Sequence, residues 1–350
     1  MKTSIDRPFV KITVAAAVLG LSIFALVAQP RPAPPGPAGP VNVVGAGSEV
    51  QSAFLEVNPI DQLTAPSAPA SKKERLDRFN TLWLSAPSAK LDLNLFGDAK
   101  LRAVIDRFES MAGVGVFYGH LDGDDAATVL LAHRDGALEA RISGPNGRVF
   151  DVSYGGGDML KIAEVDPLLL RDALRDGVQT ANSAIVNVDG GPSSPQAPDT
   201  ATPPVIDVMV LYTTQEKNGL GGQAATEARI ALCVAYNNEA FRRSYVNARY
   251  RLVHTEEVTE SWHVPSQTAS TELGWLRSDS MVAQRQSSFG ADVVSLLCYI
   301  TDWGGLADCS APHSVFYHYP EFFTHECGHN VGCGHDRAHG GCGAADYAYG

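Results

Sequence analysis

The chain has 350 residues, 45% of them hydrophobic and 19% charged, the balance of a globular protein rather than a disordered or fibrous one. A formal net charge of −12 at pH 7 argues against nucleic acid as a partner, because such a binder must neutralise phosphates with Lys and Arg. The length suits one large domain or two ordinary ones.

Lys2, Arg7 and Lys11 precede an uncharged, mostly apolar run over residues 12–28, and QPRPAPPGPAGP follows it. A basic start, an apolar core and a small-residue exit predict a secretory signal peptide over residues 1–28, cleaved near residues 25–28. The alternative is an uncleaved anchor, for which seventeen residues is the short limit of a membrane span. Either way the bulk of the chain is expected to be exported, to the periplasm or the medium, and to touch a membrane only through that anchor.

Residues 29–70 are rich in Pro, Ala, Gly and Ser and predict a disordered leader. A first folded unit is expected over residues 71–188. KLRAVIDRFESM places Leu101, Val104, Ile105 and Phe108 at helical spacing, so a helix is expected there. GVGVFYGHL, ATVLLAH, ALEARI and RVFDVSY then read as short strands joined by the turns DGDD, RDG and GPNG, a small antiparallel unit. DGGPSSPQAPDTATPP, residues 189–204, breaks all periodicity and marks an exposed linker of the kind that proteases nick.

A different pattern occupies residues 205–350. VIDVMVLYT is a nearly continuous apolar run that suits a strand buried on both faces. Residues 223–244 predict a long helix with Ile230, Val234 and Phe241 on one face. ARYRLVHTEEV predicts a second strand, TELGWLRS to QRQSS helices, DVVSLLCYI a third buried strand and SVFYHY a short edge strand. Strands alternating with helices imply an α/β sheet. No internal repeat is present.

All six cysteines lie between Cys233 and Cys342, the others being Cys298, Cys309, Cys327 and Cys333. An even count in an exported segment predicts disulfides, with 15 connectivities open. No C-x-x-C pair supports a Cys-ligated zinc. Cys327 and Cys333 are candidates for pairing with each other or with Cys342, or for buried thiols.

THECGHNVGCGHDRAHGG, residues 324–341, carries four of the ten histidines. His325 and His329 are four apart, so on a helix they share a face and can share a metal. Glu326 between them can accept a proton from a metal-bound water and pass it to a leaving amine. Zn²⁺ is the expected cofactor because it takes imidazole and lowers the pKa of a water to about 7. A catalytic zinc needs a third protein ligand. Gly332 can leave the helix with positive φ, and His335 three residues later can turn back to the metal. A bare H-E-x-x-H arises by chance in about 1% of chains of this composition, and the added Gly and His make the full string far more specific. His120, His133, His254, His263, His313 and His318 have no ligand spacing and are expected on surfaces or strands; His339 lies in a Gly-rich stretch.

On VIDVMVLYT, GADVVSLL, the turn at Cys309 and HECGHNVGCGHDR, residues 205–350 resemble the bacterial reprolysin-like metzincins and are most similar to the peptidyl-Asp metalloendopeptidases. The resemblance implies a twisted mixed sheet with long helices and an active-site helix. It also implies His325, His329 and His335 as zinc ligands, Glu326 as catalytic acid/base, Asp336 in a structural role, and protein or peptide substrates cleaved beside Asp. The first unit resembles the propeptides that precede such enzymes. It contains no cysteine, which excludes latency through a Cys–zinc bond.

The family also carries a methionine turn beneath the zinc, after the third His. The last methionine here is Met281, so the reading frame is expected to continue beyond residue 350, and the chain as given to bind zinc weakly and hydrolyse peptides slowly or not at all. Two rival readings remain. GAADYAYG, residues 343–350, approaches the aspzincin motif and would make Asp346 the third ligand, leaving His335 unexplained. A non-catalytic exported zinc-binding protein is the other, against which Glu326 argues, since a structural site has no use for a general base.

Overall fold

The computed structural model describes residues 50–56, 63, 64, 70–85, 89–166, 168 and 203–335. The signal peptide or anchor, most of the leader and the linker over residues 189–202 lie outside them, as do Asp336, His339, Cys342 and Asp346. Among the described residues no helix is long and apolar enough to cross a membrane.

The first unit is a nine-stranded sheet. Its strands are β1 (Gln51–Ser52), β2 (Ser71–Arg78), β3 (Lys90–Phe96), β4 (Ala99–Met111), β5 (Val114–Leu121), β6 (Asp124–Arg134), β7 (Ala137–Ser143), β8 (Val149–Gly156) and β9 (Met159–Val165), with a short helix α1 (Thr81–Ser85) after β2. The spatial order is β1-β3-β4-β5-β6-β7-β8-β9-β2. All pairs are antiparallel except β1 with β3. The sheet curls until its ends meet at a Phe54–Phe79 bridge, reinforced by Leu55 N–H donating to the Arg78 carbonyl at 3.0 Å. Inside the curl, Leu91, Leu93, Leu95, Phe96, Leu131, Ile142 and Phe150 pack around the fully buried Trp83. The hairpins turn where the sequence indicates: Asp135 (φ 46°) and Gly136 (φ 86°) occupy the left-handed region that a two-residue turn requires.

Two expectations fail in this unit. Residues 99–111 form β4, not a helix. The same stretch carries a period-two set, with Ala99, Ala103 and Ile105 buried and Lys100, Arg102 and Asp106 exposed, and pairing to β3 and β5 on both sides selects it. Phe108, which a helix would have buried, is 38% exposed. The leader is also not wholly outside the fold: β1 pairs with β3, and Ala53 and Phe54 are buried, because they close the gap between the sheet's two ends.

The second sheet has five strands: β10 (Val205–Thr213), β11 (Arg249–Val258), β12 (Val293–Leu297), β13 (Gly305–Ala307) and β14 (His313–Phe316), in the order β11-β10-β12-β14-β13. The pairs are parallel except β13 with β14. The run SVFYHY thus supplies an inner strand. The edge is β13, whose three residues are too few to show a periodicity. Between the strands run α2 (Thr214–Gly219), α3 (Gln223–Arg243), α4 (Ala269–Ser278) and α5 (Ser280–Phe289), and α6 (Pro320–Asn330) follows β14.

Alternate residues of the parallel strands face opposite layers. Met209, Leu211, Val294, Leu296 and Val315 join α4 and α5 through Leu273, Leu276 and Val282. Val208, Val210, Tyr212, Val293 and Phe316 join α3 and α6, and the same cluster continues into Val116, Tyr118, Leu130 and Ala132 of the first sheet. Helix α3 therefore lies between two sheets, and every residue from Ala225 to Ala235 is buried.

Candidate metal centre

Helix α6 starts at Pro320, which fits the first helical turn because its missing N–H needs no partner there. Phe323 anchors it: fully buried, it meets Phe316 at a ring-centroid distance of 5.0 Å and Tyr250 at 6.5 Å. Burial of such a side chain stabilises by about 1.5–3 kcal/mol. The opposite side of the helix presents His325 and His329. After Asn330 the chain leaves the helix through Gly332 at φ 98°, and Cys333 N–H returns to the Gly328 carbonyl at 2.9 Å.

That reversal brings His335 back. Nε2 of His325 lies 3.0 Å from Nε2 of His335 and 3.0 Å from Nε2 of His329, and one ligand atom from each of the three falls within 4.8 Å of the others. Imidazole nitrogens sharing one zinc at about 2.0–2.1 Å in tetrahedral geometry stand about 3.3 Å apart, so this donor set fits a zinc ion. His329 is held by a 2.8 Å contact between its Nδ1 and the Cys333 carbonyl. With the ring proton on Nδ1 donated to that carbonyl, the Nε2 lone pair faces the other two rings, the usual support of a metal-ligating imidazole. Among the described residues this is the one group of three His, Cys, Asp or Glu side chains close enough to hold a metal.

Glu326, between the two helical histidines, is 1% exposed and lies against β13. Asn330 ties the end of the helix to the loop between β13 and β14: its Nδ2 lies 3.2, 2.7 and 3.0 Å from the carbonyls of Asp308, Ala311 and His313, and Ser310 N–H donates to the His329 carbonyl at 3.0 Å. Neither Asn330 nor the glycine pair at 304 and 305 was legible as a site residue. The available signal was Gly304–Gly305, since glycine at a strand marks a close approach of another group.

Four of the other described histidines have partners away from this group. His120 contacts Asp106 at 2.9 Å, His254 stacks on Phe289, His263 stacks on Trp275 and contacts Glu272 at 2.8 Å, and His318 contacts Glu216 at 3.3 Å. His313, on the inner strand β14, is held down to about 4 by burial and by Arg277. The disulfide expectation holds for Cys309, which is disulfide-bonded. It fails for Cys233, Cys298 and Cys327, which are buried thiols, and for Cys333, an exposed one. Burial pushes the thiols of Cys298 and Cys327 well up, and all three buried cysteines serve as small apolar side chains in the cores.

On the far side of α6 and α3 lies a buried ionic cluster. Arg229 of α3 donates to both oxygens of Asp151 at 2.9 and 3.0 Å and is ion-paired with Glu139. Arg141 bonds Glu321 of α6 at 3.0 Å and reaches Asp151 at 3.4 Å. The two carboxylates are driven apart: burial pushes Glu139 up to about 7, whereas the pull of Arg229 and Arg141 outweighs burial and holds Asp151 down to about 2.

No family model matches the chain. Among curated proteins it is similar to a peptidyl-Asp metalloendopeptidase of Pseudomonas aeruginosa, 31% identical over 161 residues that span 39% of this chain and 26% of the relative. The chain thus covers about a quarter of that relative's length. Among solved structures it is similar to metalloproteinase-II from Bacteroides fragilis, with a TM-score of 0.42 and 12% identity over 70% of this chain and 81% of the other. A chain in the structure of a chaperone–substrate complex is similar with a TM-score of 0.36 and 22% identity, over 39% of this chain and 25% of the other. The sequence match relates this stretch to a metallopeptidase.

Proposed function

We propose that the protein is an exported zinc-dependent metalloendopeptidase of the reprolysin-like metzincin type, acting on proteins or peptides. The observation that carries this reading is the convergence of the His325, His329 and His335 Nε2 atoms beside a buried Glu326. Zinc held by these three imidazoles supplies Lewis-acid polarisation of a carbonyl and brings the pKa of a water to about 7. Glu326 takes the proton of the attacking water on its carboxylate and delivers it to the leaving amine. His329 keeps one tautomer through Cys333, so its Nε2 stays available as a ligand. The open edge of the sheet, β13, runs past Glu326 and can add an extended peptide as a further strand. The first unit acts as a propeptide removed by cleavage within residues 189–204, and preference for Asp at the cleavage point follows from the relative's name alone.

Metal analysis tests the assignment. One zinc per chain is expected, with affinity falling at least about tenfold in His335→Ala. Unchanged affinity in that variant would move the third ligand to Asp346. N-terminal sequencing of the exported species should start near Pro203. A fully active product that retains residues 75–187 would overturn the propeptide role.

A further inference from the structure

We propose that Gly305, the first residue of β13, is the positioning residue that sets where the Glu326 carboxylate stands, with Gly304 before it making room for Phe322; this rests on the peptidase reading above. Phe322 and Glu326 are one turn apart on α6, and both face the glycine pair. A Cβ built at Gly304 would meet three carbons of the Phe322 ring at 2.7, 2.8 and 2.8 Å. One built at Gly305 would meet Cγ and Cδ of Glu326 at 2.8 Å each and would stand closer still to Oε1. Neither glycine has positive φ, so an L side chain could adopt either backbone conformation. What glycine supplies here is space.

The space is bounded on both sides by pinned elements. Gly305 pairs in register with Phe316, and the Gly304 carbonyl accepts from Tyr317 N–H at 2.9 Å, so the strand cannot retreat without breaking its ladder. The helix is fixed by buried Phe323 and by the Asn330 amide on the β13–β14 loop. Side chains at 304 and 305 would therefore act differently. At 304 the obstacle is a ring that is itself buried, and the cost falls on packing. At 305 the obstacle is the carboxylate arm, which rotates away from the strand. The helix, and with it His325 and His329, stays where it is.

Gly305→Ala is therefore expected to keep one zinc per chain, with affinity within about threefold, while kcat falls at least about 100-fold and KM changes less than about threefold. A merely structural role would not separate kcat from zinc binding and KM in this way. A readout independent of activity is a thermal-unfolding cycle. Gly305→Ala should lower Tm by about 4 °C or more, and in a Glu326→Ala background, where the obstructing arm is gone, the same change should cost less than half of that. If Gly305→Ala alone does not fold, recovery of folding in the Glu326→Ala double variant supports the assignment, and failure to recover overturns it. Wild-type kcat in Gly305→Ala, or equal Tm losses in the two backgrounds, would also overturn it. Absence of bound zinc in the parent at saturating metal would defeat the peptidase reading instead, and the unfolding cycle would still decide the glycine assignment.

Discussion

Helix α3 meets a different kind of sheet on each side. Towards the five-stranded parallel sheet it shares an apolar cluster with Val208, Val210, Tyr212 and Val293. Towards the nine-stranded sheet it also shares apolar contacts, Val116 and Leu130 among them, but there it is laced with charge. Arg229 pairs with Asp151 and Glu139, Glu227 with Arg134, and Arg243 donates to the Ala126 and Ala127 carbonyls. Apolar burial is non-directional, whereas paired buried charges demand one register and are costly if a single partner is lost. The parallel sheet thus builds a continuous core around the histidine helix. The antiparallel sheet is docked on α3 through specific pairs whose groups could all be hydrated if the two halves separated.

If the two halves divide the labour in this way, chemistry and docking should fail independently. The largest expected effect is on chemistry. Glu326→Gln should retain zinc and the parent's unfolding midpoint while turnover falls by about 10²–10⁴-fold, measured as peptide cleavage by the zinc-loaded protein. Turnover near the parent's would remove Glu326 from the reaction. Arg229→Ala should do the opposite. It leaves Asp151 and Glu139 buried without their main cation, a loss of about 3–5 kcal/mol in denaturant unfolding, with zinc affinity unchanged. A loss under about 1 kcal/mol would mean that the ionic side of α3 is held by its apolar contacts alone.

The pH dependence sharpens the same contrast. The carboxyl of Glu139 is raised in the fold from its ordinary 4.5 to about 7, so its folded form favours the bound proton. Its contribution is fully present below about pH 4.5 and is lost as pH rises towards 7, a change on the order of 3 kcal/mol at most. Unfolding measured from pH 4.5 to 8 should therefore show a smaller loss of stability with rising pH in Glu139→Gln than in the parent; parallel curves would show that Arg229 keeps Glu139 ionised throughout. On the parallel-sheet side, Asn330→Ala should cost about 1–3 kcal/mol by stripping the donor from buried carbonyls of the β13–β14 loop. The smallest effect is expected at the half-exposed pair Lys217–Glu257, where Lys217→Ala should change unfolding by about 1 kcal/mol or less.

Much of the molecule was legible because its signals are local. Continuous apolar runs gave β10 and β12, the long pattern after residue 222 gave α3, and D-G and N-G turns gave the hairpins around β6, β7 and β8. The four-residue spacing of His325 and His329 follows from helical pitch, and the need for positive φ at Gly332 follows from the reversal that His335 requires. Residues 99–111 satisfy both a helical and a strand period, and the choice between them depends on β3 and β5 lying on either side.

By itself, then, the sequence determined the elements whose signals repeat within one turn or one hairpin, and the spacing of the imidazoles at 325, 329 and 335 and of the carboxylate at 326. Tertiary structure decided what depends on partners far along the chain. It put β14 inside the sheet and β13 at the edge, drew residues 51–54 across to close the curled sheet, and kept Cys233, Cys298 and Cys327 as thiols. It also set Gly305 against Glu326 and the Asn330 amide against the β13–β14 loop. The physical reason is common to all of these. Spacing along a helix or strand fixes which side chains share a face, but the group that face meets comes from another element, and only the packed fold brings the two within contact distance.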